Sequence, residues 1–160
     1  MAKWEGKVST TLTKASLDKI WPLFTDFFNF HKWFPNMSTC YGIHGVNGEV
    51  GCIRYCVGFV FENDDGVREA NWVKARLVAI DPNEMSLSYE ILECNFGFNE
   101  SFLGTFKVVR GEAQGCVVEW SFIVDPVEGV TWEYFVEKYQ NILDQMTKKM
   151  EVEVVEKDDL

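Results

Sequence analysis

From Trp4 to Leu12 apolar and polar positions alternate, with Trp4, Val8 and Leu12 on one side and Lys3, Glu5, Lys7 and Ser9 on the other. That is the period of a half-buried strand. Ser16, a good N-cap, stands ahead of Leu17, Ile20, Trp21 and Phe24, and a second short helical run continues from Thr25 through Phe28, His31 and Trp33 until Pro35. Between Met37 and Val124 turn signals recur at Asn47-Gly48, Asp64-Asp65-Gly66, Asp81-Pro82-Asn83 and Gly111 to Gly115, delimiting six strand-like runs.

These runs share one rule. Val73, Ala75, Leu77 and Ala79 are predicted to face inward while Lys74 and Arg76 face water. Leu87, Tyr89 and Ile91 oppose Ser86, Ser88 and Glu90, and the same alternation carried forward puts Glu93 on the inner face. Phe102, Phe106 and Val108 oppose Ser101, Thr105 and Lys107, while Val118, Trp120 and Phe122 oppose Glu119 and Ser121. After Asp125-Pro126 and Gly129 the spacing turns helical, with Trp132, Phe135, Val136, Tyr139, Ile142, Leu143, Met146 and Met150 in register. A helix of about 20 residues spans about 30 Å, the width of a small domain. The acidic tail Glu153 to Leu160 is expected to fray.

The order strand, two short helices, six strands, long helix predicts an α+β domain over residues 1–160: a seven-stranded, curved antiparallel sheet wrapped around its C-terminal helix. One helix cannot fill the concave side of such a sheet, so a pocket is expected there.

Composition narrows the partners. At 160 residues the chain suits one domain, and 47% apolar with 15% aromatic residues supports a large core. The net charge of −10 disfavours nucleic acid and anionic membrane surfaces. The start, Met1 to Lys7, lacks an apolar signal region, and no run of about 18 apolar residues could span a bilayer, so a cytosolic location is expected. The five cysteines contain no Cys-x-x-Cys pair and read as small buried hydrophobes.

Arg54 lies in the apolar strand-like segment Gly51 to Phe61 with no adjacent acid. An inward guanidinium keeps its proton and requires an anionic or oxygen-rich partner, which makes Arg54 the first candidate for a ligand contact. Glu93 is the best acid in reach, and Tyr89 could aim its hydroxyl into the pocket. Phe61, Phe102, Phe106, Trp120, Phe122, Trp132, Phe135 and Tyr139 are expected to supply an apolar wall. His31 and His44 have no spacing suited to a metal or a nucleophile triad, so neither metal nor cofactor is expected. The Gly-rich loop Gly45 to Gly51 joins two strands and reads as a hairpin.

The order of elements, with the segments Trp4-Glu-Gly-Lys-Val8, Gly51-Cys-Ile-Arg-Tyr55, Leu77-Val-Ala-Ile-Asp81, Glu93-Cys94 and Glu119-Trp-Ser-Phe122, resembles the plant lachrymatory factor synthase group. This group belongs to the broad polyketide cyclase, lipid-transport and birch pollen allergen superfamily, and the resemblance runs from about Lys3 to Met150. It implies a helix-grip fold around a hydrophobic cavity. In the synthase itself it implies rearrangement of an alkenyl sulfenic acid to a thial S-oxide by an arginine, a glutamate and a tyrosine. Arg54 falls on the arginine position, Ala75 on that of the glutamate, and Phe102 on that of the tyrosine.

The proton acceptor is therefore missing, and general acid or base catalysis typically contributes a factor of about 10²–10⁴. The expected function is binding of a small hydrophobic plant metabolite bearing one oxygenated or anionic group, held by Arg54. The alternative is a lyase or isomerase acting on a sulfenic acid or related small metabolite.

Overall fold

The computed structural model describes residues 3–62, 65–66, 68–95 and 101–158. β1 (Trp4–Leu12) leads into α1 (Leu17–Thr25) and a 3₁₀ segment (Phe27–Lys32). Six strands follow: β2 (Met37–His44), β3 (Ile53–Glu62), β4 (Arg68–Asp81), β5 (Ser86–Cys94), β6 (Phe102–Arg110) and β7 (Cys116–Val124). The chain closes with α2 (Trp132–Asp158). The strands form one antiparallel sheet in the order β1-β7-β6-β5-β4-β3-β2, so β2 to β7 pair consecutively, β1 joins β7, and β1 and β2 are the two edges. This seven-stranded sheet with a long C-terminal helix is the helix-grip fold.

The helix is greasy on the side that meets the sheet. Phe135, Tyr139, Leu143, Met146 and Met150 recur at helical spacing and are all buried, against Trp120, Phe122 and Val118 of β7 and Phe102 and Phe106 of β6. Burying one such side chain stabilises the fold by about 1.5–3 kcal/mol. Thr147 shares that buried face, and its hydroxyl donates to the Leu143 carbonyl at 2.8 Å, so no polar group is left unsatisfied there. Polar contacts pin the helix to the edge strand: Gln140 donates to the Ser9 carbonyl at 2.9 Å, and Thr10 bonds Asp144.

Three expectations are corrected. The tail from Glu153 continues α2 as far as Asp158, because Val154 extends the stripe of Met146 and Met150 and is buried with it. Glu93 faces outward. On β5 the pairing passes from Ala75 with Ile91 to Lys74 with Glu93, so Leu92 is an extra residue and everything beyond it changes face. On β4 Val78 is extra in the same way, between Leu77 with Tyr89 and Ala79 with Ser88. Ala79 is consequently exposed, and Ile80 takes its place against the core.

Candidate ligand-binding site

Between the concave face of the sheet, the 3₁₀ segment and α2 lies a cavity of about 410 Å³, within the usual range for small-molecule sites. Its interior wall is apolar: Phe30 and Phe34, Val73 and Ala75 of β4, Ile91 of β5, Phe102 and Trp120, and Phe135, Tyr139 and Ile142 of α2. Asn36, Tyr134, Lys138 and Gln145 also border it and are exposed, so the mouth lies between the loop before β2 and the outer edge of α2.

Arg54 of β3 is 5% exposed and forms part of the wall. Its guanidinium carbon sits 3.9 Å from the Phe27 ring centre, 4.2 Å from that of Phe30 and 5.3 Å from that of Tyr89. One N–H donates to the Phe27 carbonyl at 3.2 Å. No carboxylate among the described residues forms an ion pair with it. The side-chain nitrogen sealed in the protein without a partner, among the described residues, is His31 Nδ1 and not a nitrogen of Arg54. The Phe27 carbonyl takes one of the guanidinium's five N–H groups, and the residue forms part of the cavity wall. Three ring faces supply part of the solvation that burial removes, each by a cation–π attraction of about 0.5–2 kcal/mol. They leave the in-plane donors, the ones that bind a carboxylate, unspent.

Tyr89 stands inside the cavity, as expected, but its hydroxyl is committed to the core, where it accepts the Trp120 Nε1–H at 3.1 Å. Burial pushes its pKa upward, against the pull of Arg54 and the bond from Trp120. Its ring lies across Gly104, its direct partner on β6, where any Cβ would strike it. Tyr139 lines the same wall, and burial raises its pKa too. Both phenols stay neutral at physiological pH, leaving Arg54 as the buried charge among the described residues.

Of the residues singled out from sequence, Arg54, Ala75, Tyr89, Phe102, Trp120, Phe135 and Tyr139 come together around the cavity. Phe106 does not reach it. It packs behind the wall, with ring centres 4.9 Å from Trp120 and 4.8 Å from Phe24. Phe122 and Trp132 are likewise packed into the aromatic layer between α2 and β7, and the Phe61 side chain lies outside the described residues. Glu93 is not a partner of Arg54, because the extra residue Leu92 turns it outward to Lys74 at 3.6 Å.

Sequence reasoning missed Phe30, Phe34 and Met37, which close one side of the cavity from the 3₁₀ segment and the start of β2. It also missed the mouth on α2, although Tyr134, Lys138, Ile142 and Gln145 follow one another at helical spacing beside the buried stripe. That spacing was the available signal. Among the described residues no group of three or more His, Cys, Asp or Glu side chains gathers to hold a metal ion. Nor is any helix long and apolar enough to cross a membrane.

Fold and cavity together define a helix-grip protein, and residues 4–151 match the family model described as polyketide cyclase / dehydrase and lipid transport. The chain belongs to that family. Its fold is similar to that of ginseng major latex-like protein 151 from Panax ginseng, with 20% identity and a TM-score of 0.69 over 93% of this chain and 97% of that one. An uncharacterized protein of Bacillus thuringiensis matches with 21% identity and a TM-score of 0.68, covering 95% of this chain and 99% of its own. The protein XoxI of Bacillus cereus gives 21% and 0.67, covering 99% of each chain.

Proposed function

We propose that this protein binds a small, largely apolar metabolite carrying one carboxylate or comparable oxygenated group, with that group on Arg54 and the apolar body against Phe102, Trp120, Phe135 and Tyr139. The observation that carries this reading is a buried guanidinium on the cavity wall with no carboxylate partner among the described residues. A charge removed from water without a counter-charge costs several kcal/mol, and an anionic ligand offsets it. The family description, which includes lipid transport, supports a hydrophobic ligand.

Binding is favoured over catalysis by what stands around Arg54. The resemblance to the lachrymatory factor synthase group puts a glutamate and a tyrosine where this chain has Ala75 and Phe102, and neither of these can move a proton. The Tyr89 hydroxyl accepts the Trp120 N–H, and burial raises its pKa, so it cannot serve as the base.

Displacement of an apolar fluorescent dye tests the reading. Decanoate should compete better than decanol by about tenfold or more, the strength of one hydrogen bond to a charged group. Equal competition by both would reject the role given to Arg54.

A further inference from the structure

Cys40 of β2 and Cys56 of β3 are directly opposed partners in the sheet, and their sulfurs face each other 2.7 Å apart. Opposed residues of an antiparallel pair have Cα atoms about 4.5–5.5 Å apart, inside the roughly 4.4–6.8 Å range that a disulfide accepts. Neither is in a disulfide, and both are buried, at 7% and 1% exposure. Burial in an apolar core would make such thiols inert.

Two observations set this pair apart from packing. Cys56 forms part of the cavity wall together with Arg54 and Ala75, so a small molecule inside the cavity reaches it without unfolding the sheet. Cys40 lies where a negative charge is supported. The hydrogen bond shared with Cys56 comes first, and the Arg54 guanidinium and the backbone N–H groups of Phe30 and His31 add to the effect, holding the Cys40 pKa below the ordinary thiol value against the opposing effect of burial. The same hydrogen bond, with burial, keeps the proton on Cys56.

We propose that Cys40 and Cys56 form a modification site of their own: a cross-strand dithiol that a small hydroperoxide entering the cavity oxidises to a disulfide. The Cys56 sulfur, the one on the cavity wall, attacks the outer peroxide oxygen as its proton passes to the Cys40 thiolate, the O–O bond breaks, and the products are a Cys56 sulfenic acid and an alkoxide that takes a proton from water to leave as the alcohol. The Cys40 sulfur then attacks the Cys56 sulfur. Its proton and the sulfenic hydroxyl leave as water, and the S–S bond closes. Two thiols lose two electrons in total, and one hydroperoxide is reduced to an alcohol and water. The bridge ties β2 to β3 beside Arg54, and an external dithiol restores the open pair.

The test uses the folded full chain treated with one equivalent of cumene hydroperoxide, followed by alkylation of remaining thiols and peptide mapping by mass spectrometry. The expected result is a Cys40–Cys56 crosslink as the main product, a chain lighter by two hydrogens, and complete reversal by dithiothreitol. In Cys40→Ser the reaction should stop at a Cys56 sulfenic acid that dimedone captures. Recovery of Cys40 and Cys56 as alkylated thiols, or oxidation distributed over the other cysteines without this bridge, would overturn the proposal. The wild-type map requires no variant, so a misfolded Cys40→Ser leaves the outcome readable.

Discussion

Arg54 and Ala75 stand directly opposite one another on β3 and β4, a buried cation facing a methyl group across the floor of the cavity. Opposed residues in an antiparallel pair have Cβ atoms about 4.5–5.5 Å apart, close enough for side chains of opposite charge to meet. Ala75→Glu should therefore supply the internal counter-ion that the wild-type chain lacks. Affinity for decanoate, measured by calorimetry, should fall by about tenfold or more, because the ligand carboxylate then competes with one already in place. Unchanged decanoate affinity would mean that residue 75 does not share the ligand's site.

Ala75→Glu combined with Phe102→Tyr adds both a proton acceptor and a hydroxyl to a cavity that has an arginine in place. Conversion of an alkenyl sulfenic acid should rise in this double variant by a factor of about 10²–10⁴ over the parent chain. Product assay by gas chromatography reads the gain. No gain would remove Ala75 and Phe102 from the positions that the resemblance gives them.

Tyr89→Phe removes the acceptor of the Trp120 indole N–H and leaves that donor buried. An unsatisfied buried donor costs about 1–3 kcal/mol, so the urea midpoint should fall accordingly while the ring stacking on Phe106 is kept. A midpoint equal to that of the wild type would contradict the importance of this bond.

Alkaline pH should weaken the fold. Burial, helped by the charge of Glu151, raises the Cys116 pKa from 9.0 to about 11. The folded chain thus holds a proton that the unfolded chain releases, and stability is fully present below pH 9.0 and declines as the pH climbs to about 11. Tyr89 and Tyr139, both raised by burial, act in the same direction. Cys116→Ala should flatten the decline across that window in urea titrations. An identical pH profile would show that the thiol takes no part.

The alternation of apolar and polar positions was sufficient to read the strands, the long helix and the concave face, because burial on one side of a pleated sheet imposes a period of two. Reading failed where a single extra residue breaks that period. Leu92 and Val78 look like ordinary strand residues, and nothing in their chemistry announces that the faces exchange at these points. Glu93 and Ala79 were misplaced for that reason alone. Arg54 was legible because a guanidinium in an apolar run admits few explanations. Its actual surroundings, the rings of Phe27 and Phe30 and the carbonyl of Phe27, come from a segment more than twenty residues earlier in the chain. Contact between such distant segments is set by how the 3₁₀ turn packs on the sheet, which local pattern does not encode. The same holds for Phe106, whose inward orientation was right and whose place behind the wall depends on Phe24 and Trp120.

The role proposed for Arg54 is to act on the charge of the ligand. The most direct measurement compares decanoate and decanol binding by calorimetry in the wild type and in Arg54→Met, which keeps an unbranched side chain, with near-ultraviolet circular dichroism as a check of the fold. A hydrogen bond to a charged group contributes about 1.5–3 kcal/mol, so decanoate affinity should drop roughly 10- to 150-fold while decanol affinity stays within about twofold. Equal losses for the acid and the alcohol in a folded variant would show that Arg54 does not act on the ligand's charge.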